Sequence, residues 1–364
     1  MPAWRHHFAP FELKRVALIT ATLIIGVAGA LAYAHTELPL PWFLGSMIAC
    51  LIALALRVPI KSSRPLTRLM RIVLGLAIGS SFTPEMIDRA GEMAISLMFV
   101  PPYVVFLGIL GYPYFRLFPG FDRVTAFLAA VPGGFQTMVA IGEDCKCDLR
   151  RLSIVHSTRI LVIVVLVPLW IQFSGSIDLS RSIPGTESLS ALTLQDVLIL
   201  VACGIVGDWA GRRAGISGAA IIGPMLANGT LHIFGLVETR LPLELVNAAQ
   251  LVIGVHIGCQ FLGLTLRDIA TTVSVAFGYA LVLLIGAALF TALVVWVTGI
   301  NEYAVALAYA PGGQPEMNLI ALVLNFDPAY VALHHLLRVM VIVVGAQFII
   351  SRFLTTNERE DEKA

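Results

Sequence analysis

Apolar residues run through this chain in long blocks separated by short polar turns, and the blocks form two matching sets of six. The first set lies near residues 16–34, 39–56, 69–87, 93–115, 123–141 and 150–173. The second lies near 194–210, 215–235, 244–263, 270–299, 302–324 and 329–353. Runs of this kind predict α-helices that cross or enter a bilayer core, which takes about 20 apolar residues per crossing. The third block of each set is the weakest. Residues 174–193, the longest polar stretch, divide repeat 1 (16–173) from repeat 2 (194–353); residues 1–15 and 354–364 are polar ends. The run 16–34 follows basic residues and closes on Ala32-Tyr33-Ala34, the form of a signal peptide. Its counterpart 194–210 sits in mid-chain, so both read as the first helix of a repeat.

One fixed offset, the step from Gly75 to Gly254, relates the sets. At that offset Ile78, Gly79 and Phe82 fall on Ile257, Gly258 and Phe261. Pro132-Gly133-Gly134 falls on Pro311-Gly312-Gly313, Asp148 on Asp327, and His156 and Arg159 on His335 and Arg338. A duplicated apolar chain with a helix-breaking glycine pair and an intramembrane charge at equivalent places is the pattern of two-repeat transporters, which bind substrate where the repeats meet. Basic residues favour cytoplasmic loops. If every block crossed, the lysines and arginines would divide 15 inside and 7 outside; if the Pro-Gly-Gly blocks dip in and return, the division is 19 to 3. The expected fold is therefore an all-α multi-pass membrane protein with two inverted repeats, each of about five spanning helices plus one re-entrant segment. Both termini are expected in the cytoplasm.

Composition agrees with the class and narrows the chemistry. The chain is 58% hydrophobic and 13% charged, where a soluble chain has about 25% charged residues. A net charge of +1 provides no basic stripe for nucleic acid. The five cysteines include no C-x-x-C pair and read as reduced thiols. The eight histidines are dispersed, without the clustered sets that copper or iron oxygenation needs. No catalytic or nucleotide-binding motif is present, so neither an enzyme nor a cofactor is expected. The expected partners are the bilayer and a small molecule or ion, with a homo-oligomer left open.

The breaks carry the candidate chemistry. Proline removes a donor and glycine loosens the backbone, and exposed backbone in hydrocarbon costs several kcal/mol per group. A break therefore survives only where protein or a wet cavity satisfies it. Pro132, Gly133, Gly134 and Gln136, with Pro311, Gly312, Gly313 and Gln314, are the expected substrate-binding backbone and side chains. Arg159 and Arg338 lie some turns inside membrane helices, where an arginine costs about 2.5 kcal/mol or more without a partner. Each is either a counter-charge for an anionic substrate or a structural group, in an ion pair or as a cap for the loop carbonyls. Glu316, His156 and His335 are candidates for ion coupling. The alternatives are pairing of Glu316 with Arg338 and satisfied hydrogen bonding for the histidines. Asp148 and Asp327 read as helix caps.

The two Pro-Gly-Gly breaks, Gly45-Ser46-Met47 answered by Gly223-Pro224-Met225, and a duplication over about residues 16–353 resemble the bacterial membrane AbrB family, also labelled ammonia monooxygenase. That resemblance implies an inner-membrane protein whose members have been described as regulators of gene expression. It implies no likeness to the small soluble DNA-binding regulator of the same name. The duplicated, broken-helix plan is also similar in architecture to cation:proton antiporters and sodium-coupled glutamate carriers. Two functions are therefore expected: secondary transport of a small organic anion coupled to H+ or Na+, or a membrane-bound regulator or sensor.

Overall fold

A computed structural model of the chain describes residues 9–36, 38–86, 89–145, 147–174, 189–216, 218–350 and 352. Residues 1–8, Lys146, linker residues 175–188 with Arg181, and the tail from 353 lie outside the described residues, as does the side chain of Gln136.

All regular structure among the described residues is helical. In the first half α1 (Ala9–Ala34) leads through a π-turn at Pro41–Gly45 into α2 (Ser46–Ala55), then α3 (Arg64–Gly79). Next come α4 (Ala90–Met98) and α5 (Val100–Leu117), the interrupted pair α6 (Arg123–Ala130) and α7 (Phe135–Asp144), and α8 (Leu149–Ser174). The second half follows the same order. It comprises α9 (Leu194–Arg213), α10 (Ala219–Ile233), α11 (Leu243–Cys259), the short α12 (Leu266–Asp268), α13 (Ser274–Thr298), the interrupted pair α14 (Glu302–Tyr309) and α15 (Gln314–Val323), and α16 (Pro328–Ile349). Among the described residues six stretches are long and apolar enough to cross a membrane: Lys14–Ala34, Ala90–Leu117, Leu149–Ser174, Leu194–Arg213, Ala270–Thr298 and Pro328–Ala346. Ile24, Ile109, Ile205, Ile285 and Val344 on them point outwards. Such a continuous apolar exterior needs lipid around it.

Polar caps mark where helices begin. Asp122 accepts from Thr125 N at 2.8 Å at the start of α6. Asn301, its mate at the repeat offset, accepts from Tyr303 N at 3.0 Å and Ala304 N at 3.2 Å at the start of α14. Asp148 and Asp327 cap α8 and α16 through Arg151 N at 3.0 Å and Tyr330 N at 3.1 Å. Thr193 and Asp196 form a reciprocal capping box at α9.

The halves are interlocked rather than side by side. α3 lies on α10, and α11 on α2. A Cβ at Gly75 would strike the backbone of Ile221, and one at Gly79 the backbone of Met225; the chain therefore advances in the same direction along α3 and α10. Gly254 meets Phe43 and Ser46 in the same way, and Gly258 meets Met47 and Cys50, so α11 runs parallel to α2. The absence of a side chain is what permits these approaches. Polar ties cross the same seams. Asn228 Nδ2 donates to Leu76 O at 2.8 Å, and Ser62 Oγ lies 3.3 Å from His256 Nδ1. Asp208, towards the end of α9, accepts from Arg68 of α3 at 2.6 Å and pairs with Arg212 at 3.0 Å.

Because the ring of contacts closes on backbone, Gly254→Val is expected to destabilise the protein by about 1–3 kcal/mol. The thermal midpoint in detergent should fall; an unchanged midpoint would mean that the α2–α11 seam is looser than described.

Candidate functional site

Each interrupted pair is two short helices meeting at an unwound Pro-Gly-Gly. Backbone hydrogen bonds resume inside the second half-helix, with Met138 N donating to Gly134 O at 2.9 Å and Met317 N to Gly313 O at 3.1 Å. Upstream, the last carbonyls of α6 and α14 have no next turn to accept from. They are taken instead by side chains from other helices.

His156 Nε2 donates to Leu128 O at 3.2 Å, and His335 Nε2 to Leu307 O at 3.0 Å. Arg159 Nη2 donates to Gly133 O at 2.9 Å. Arg338 donates through Nη1 to Ala310 O at 2.6 Å and through Nη2 to Gly312 O at 2.7 Å. The histidine acceptors match one another at the repeat offset, and so do the two glycine acceptors. A third pair of donors crosses between the halves: Tyr103 of α5 donates to Tyr309 O at 2.6 Å, and Tyr279 of α13 to Ala130 O at 2.7 Å. Cations at the negative ends of the half-helix dipoles are the favourable sign.

Thus both arginines have the loop-capping role, and both histidines are bound to carbonyls. His335 is held further, because its Nδ1 sits 2.8 Å from Arg338 Nη2 and must accept there, leaving a neutral ring. His156 Nδ1 has no hydrogen-bond partner. Arg159 also keeps two free donors, Nε and Nη1, in a residue only 2% exposed.

Pro132 and Gly133 in the first break and Pro311, Gly312 and Gly313 in the second are buried, while Gly134 is half-buried. Gln314, Glu316 and Asn318 lie buried on α15. Gln314 Nε2, Glu316 Oε2 and both polar atoms of Asn318 have no hydrogen-bond partner. α15 packs on α3 and α8 of the first half. The charge that acts most strongly on Glu316 is Arg71 of α3, followed by Arg159; Arg338 is committed to its carbonyls. Arg71, counted with the cytoplasmic arginines by its position in the sequence, is thus a half-buried neighbour of the second break. Glu316 does not pair with Arg338, the alternative raised from the sequence, and Arg71 is the charge that acts on it instead.

Sequence reasoning also missed Tyr103 and Tyr279. At the repeat offset Tyr103 falls on Val282 and not on Tyr279, so the duplication passes over the pair. Their signal was an aromatic hydroxyl inside a span, which needs a partner when buried. A cavity of about 680 Å³, walled mainly by apolar side chains such as Trp170, Leu284 and Trp296, also touches Ala310 at the second break.

A helical chain with six membrane-length helices among its described residues, an apolar exterior and a polar interior built round two interrupted helices is an integral membrane protein of the multi-pass class. It belongs to the AbrB family, whose description is Transition state regulatory protein AbrB and whose profile matches residues 42–354. It is similar to YhjN of Bacillus subtilis (strain 168), named as an uncharacterized protein, with 23% identity over 344 residues, 88% of this chain and 89% of that one. It is similar also to an Escherichia coli (strain K12) protein that carries the name of a regulator, AbrB, with 24% identity over 338 residues, 92% of this chain and 95% of that one.

Removing the Tyr279 hydroxyl leaves the buried carbonyl of Ala130 without its closest donor. Tyr279→Phe is expected to cost about 1–3 kcal/mol, read as a lower thermal midpoint. Equal midpoints for Tyr279→Phe and the parent would mean that the hydroxyl is dispensable to the break.

Proposed function

We propose that the protein is a secondary transporter of a small organic anion, a carboxylate by preference, driven by H+ or Na+. The observation that carries this reading is the charge of the interior. Arg71, Arg159 and Arg338 converge on the two breaks against one carboxylate, Glu316. Two half-helix N-termini, at Phe135 and Gln314, add positive potential. Such an excess is costly in a membrane interior, and an anion carrying negative charge to it offsets that cost. The free donors of Arg159 are the contacts available to the substrate. The breaks bind it through backbone N–H groups, and Arg338 keeps the second loop in shape. Glu316 takes the coupling cation, because its Oε2 has no hydrogen-bond partner. The reading gives the chain no catalytic step.

Inverted repeats suit this function, and the helix directions support them. Six apolar segments lie between Ser62 and His256, and His256 sits in the last turn of a seventh, so seven traverses join two side chains that meet. Four lie between Arg68 and Asp208, which sits towards the end of a fifth, and these too are paired after five traverses. An odd number of crossings leaves the ends on opposite sides, whereas a first break that turns back makes both numbers even. The parallel course of α3 with α10 and of α11 with α2 follows from the same arrangement.

A second reading, a membrane-bound sensor affecting gene expression, is favoured by the description of the family and by the name of the Escherichia coli relative. Such a sensor would bind the same anion without moving it.

The test is uptake of labelled small carboxylates into proteoliposomes under an imposed proton or sodium gradient. Uptake that the gradient accelerates is expected for the parent protein. In Glu316→Gln the acceleration should disappear while exchange persists, and in Arg159→Lys binding should weaken at least tenfold with insertion intact. Saturable binding with no uptake under either gradient would sink the transport reading in favour of the sensor. For topology, a single cysteine at Arg212 should react from the cytoplasmic side only; reaction from the periplasmic side would rule out the inverted arrangement.

A further inference from the structure

Apart from the breaks and the ties already described, a polar cluster at Arg150 joins the halves at a surface. Arg150, at the start of α8, pairs with Asp268 of α12 in two-point fashion, with Nε to Oδ1 at 3.2 Å and Nη2 to Oδ2 at 2.6 Å. The same Nη2 reaches Gly263 O at 3.4 Å. Asp268 is itself fixed by Thr265, which donates through N at 2.8 Å and through Oγ1 at 2.6 Å. Hydrogen bonds from Arg150 and then Thr265 hold the Asp268 carboxyl below its usual range, so it stays ionised at neutral pH.

Behind this pair lies a cavity of about 190 Å³. Its walls come from Arg150, Ser153 and Ser157 of α8, from Gln260 and Gly263 after α11, and from Phe135, the first residue of α7. Arg150, Ser153 and Ser157 fall at i, i+3 and i+7, one stripe of a helix. The stripe runs from the surface to the turn that carries His156 and Arg159, and the cavity ends at the first break. Their mates at the repeat offset are Ala329, Ala332 and Leu336, so the second half has no polar stripe there. It does have a counterpart of the ion pair, with the roles exchanged. Asp327, the mate of Asp148, faces Arg89, the mate of Asp268, at 3.4 Å in a single contact.

We propose that this cavity is an access vestibule by which a small carboxylate reaches the first break from the Arg150 face, and that the Arg150–Asp268 pair is the latch across its mouth. The proposal rests on the anion-transport reading and adds a route and a gate to it. A carboxylate in solution offers Arg150 the same two-oxygen geometry as Asp268. Its arrival exchanges one pair for another, and that exchange opens the mouth without leaving either charge bare. The freed α12 turn then moves away from α8, and Ser153 and Ser157 take over as hydroxyl donors along the stripe. The one-sided polarity makes this route specific to one face of the membrane.

The experiment is reaction of Ser157→Cys with a membrane-impermeant maleimide. It uses the full chain in membrane vesicles of known orientation, with the five native cysteines replaced. Slow labelling is expected from the cytoplasmic face. Asp268→Asn, which retains a side chain able to hold the Thr265 turn, should accelerate it about two- to fivefold, the scale of a half-exposed ion pair. Arg150→Gln, which leaves Asp268 to hold the Thr265 turn, should accelerate it to the same extent, and combining it with Asp268→Asn should add nothing further, which simple unfolding of the turn would not do. An unchanged rate in Asp268→Asn, a further increase in the double variant, or labelling from the periplasmic face alone overturns the latch. Millimolar succinate is the separate probe of the anion reading. If the latch variants behave as expected and succinate gives no protection, the vestibule stands and the carboxylate assignment falls.

Discussion

Everything in the interior depends on satisfying the carbonyls left open where α6 and α14 stop short. A membrane offers no water to accept this task, and each bare carbonyl costs several kcal/mol. Here a histidine, an arginine and a tyrosine serve each break. Histidine and arginine come from the helix that follows the break, and tyrosine from the opposite half. The break is therefore a joint between the halves as well as a candidate site. The arginines answer two needs at once: they cap negative helix ends and they place positive charge beside the breaks.

That arrangement separates two kinds of symmetry. Residues within one half that serve its own break repeat at the fixed offset, so Leu128, His156 and Gly133 return as Leu307, His335 and Gly312. Residues that cross between halves are freer, since only their tips must coincide. Tyr103 and Tyr279 illustrate this, entering on different turns of α5 and α13 and still reaching equivalent carbonyls, those of Tyr309 and Ala130. Glu316 has no carboxylate counterpart, because the first half has Thr137 at that position. Departure from symmetry at the site is where a directional process has room to act.

Much of this was legible in the sequence. The apolar blocks gave the helices, and the capping aspartates and the Pro-Gly-Gly interruptions follow from local chemistry that a string of letters displays. The His-x-x-Arg spacing announced a shared helix face. Arg71 was not legible, because its place in a run of basic residues from Arg57 onwards reads as a cytoplasmic loop. Only the packing of α3 against α15 turns it inward. Asp208 was equally opaque, since an isolated aspartate in a span has many uses until Arg68 and Arg212 are seen on either side. Gly75, Gly79, Gly254 and Gly258 stood out as a repeated set, but which helices they admit is a property of tertiary packing.

The interlock of α3 with α10 and of α2 with α11 bears on how the chain is made. Synthesis delivers the first half complete, with the glycine face of α3 and the partner face of α2 still uncovered. Their mates emerge only after the linker and α9. Throughout that interval the first half is a set of membrane-inserted helices whose tightest contacts do not yet exist, and its own break lacks the hydroxyl of Tyr279. Translation order thus imposes a waiting state on the nascent protein, one in which insertion is finished and folding is not.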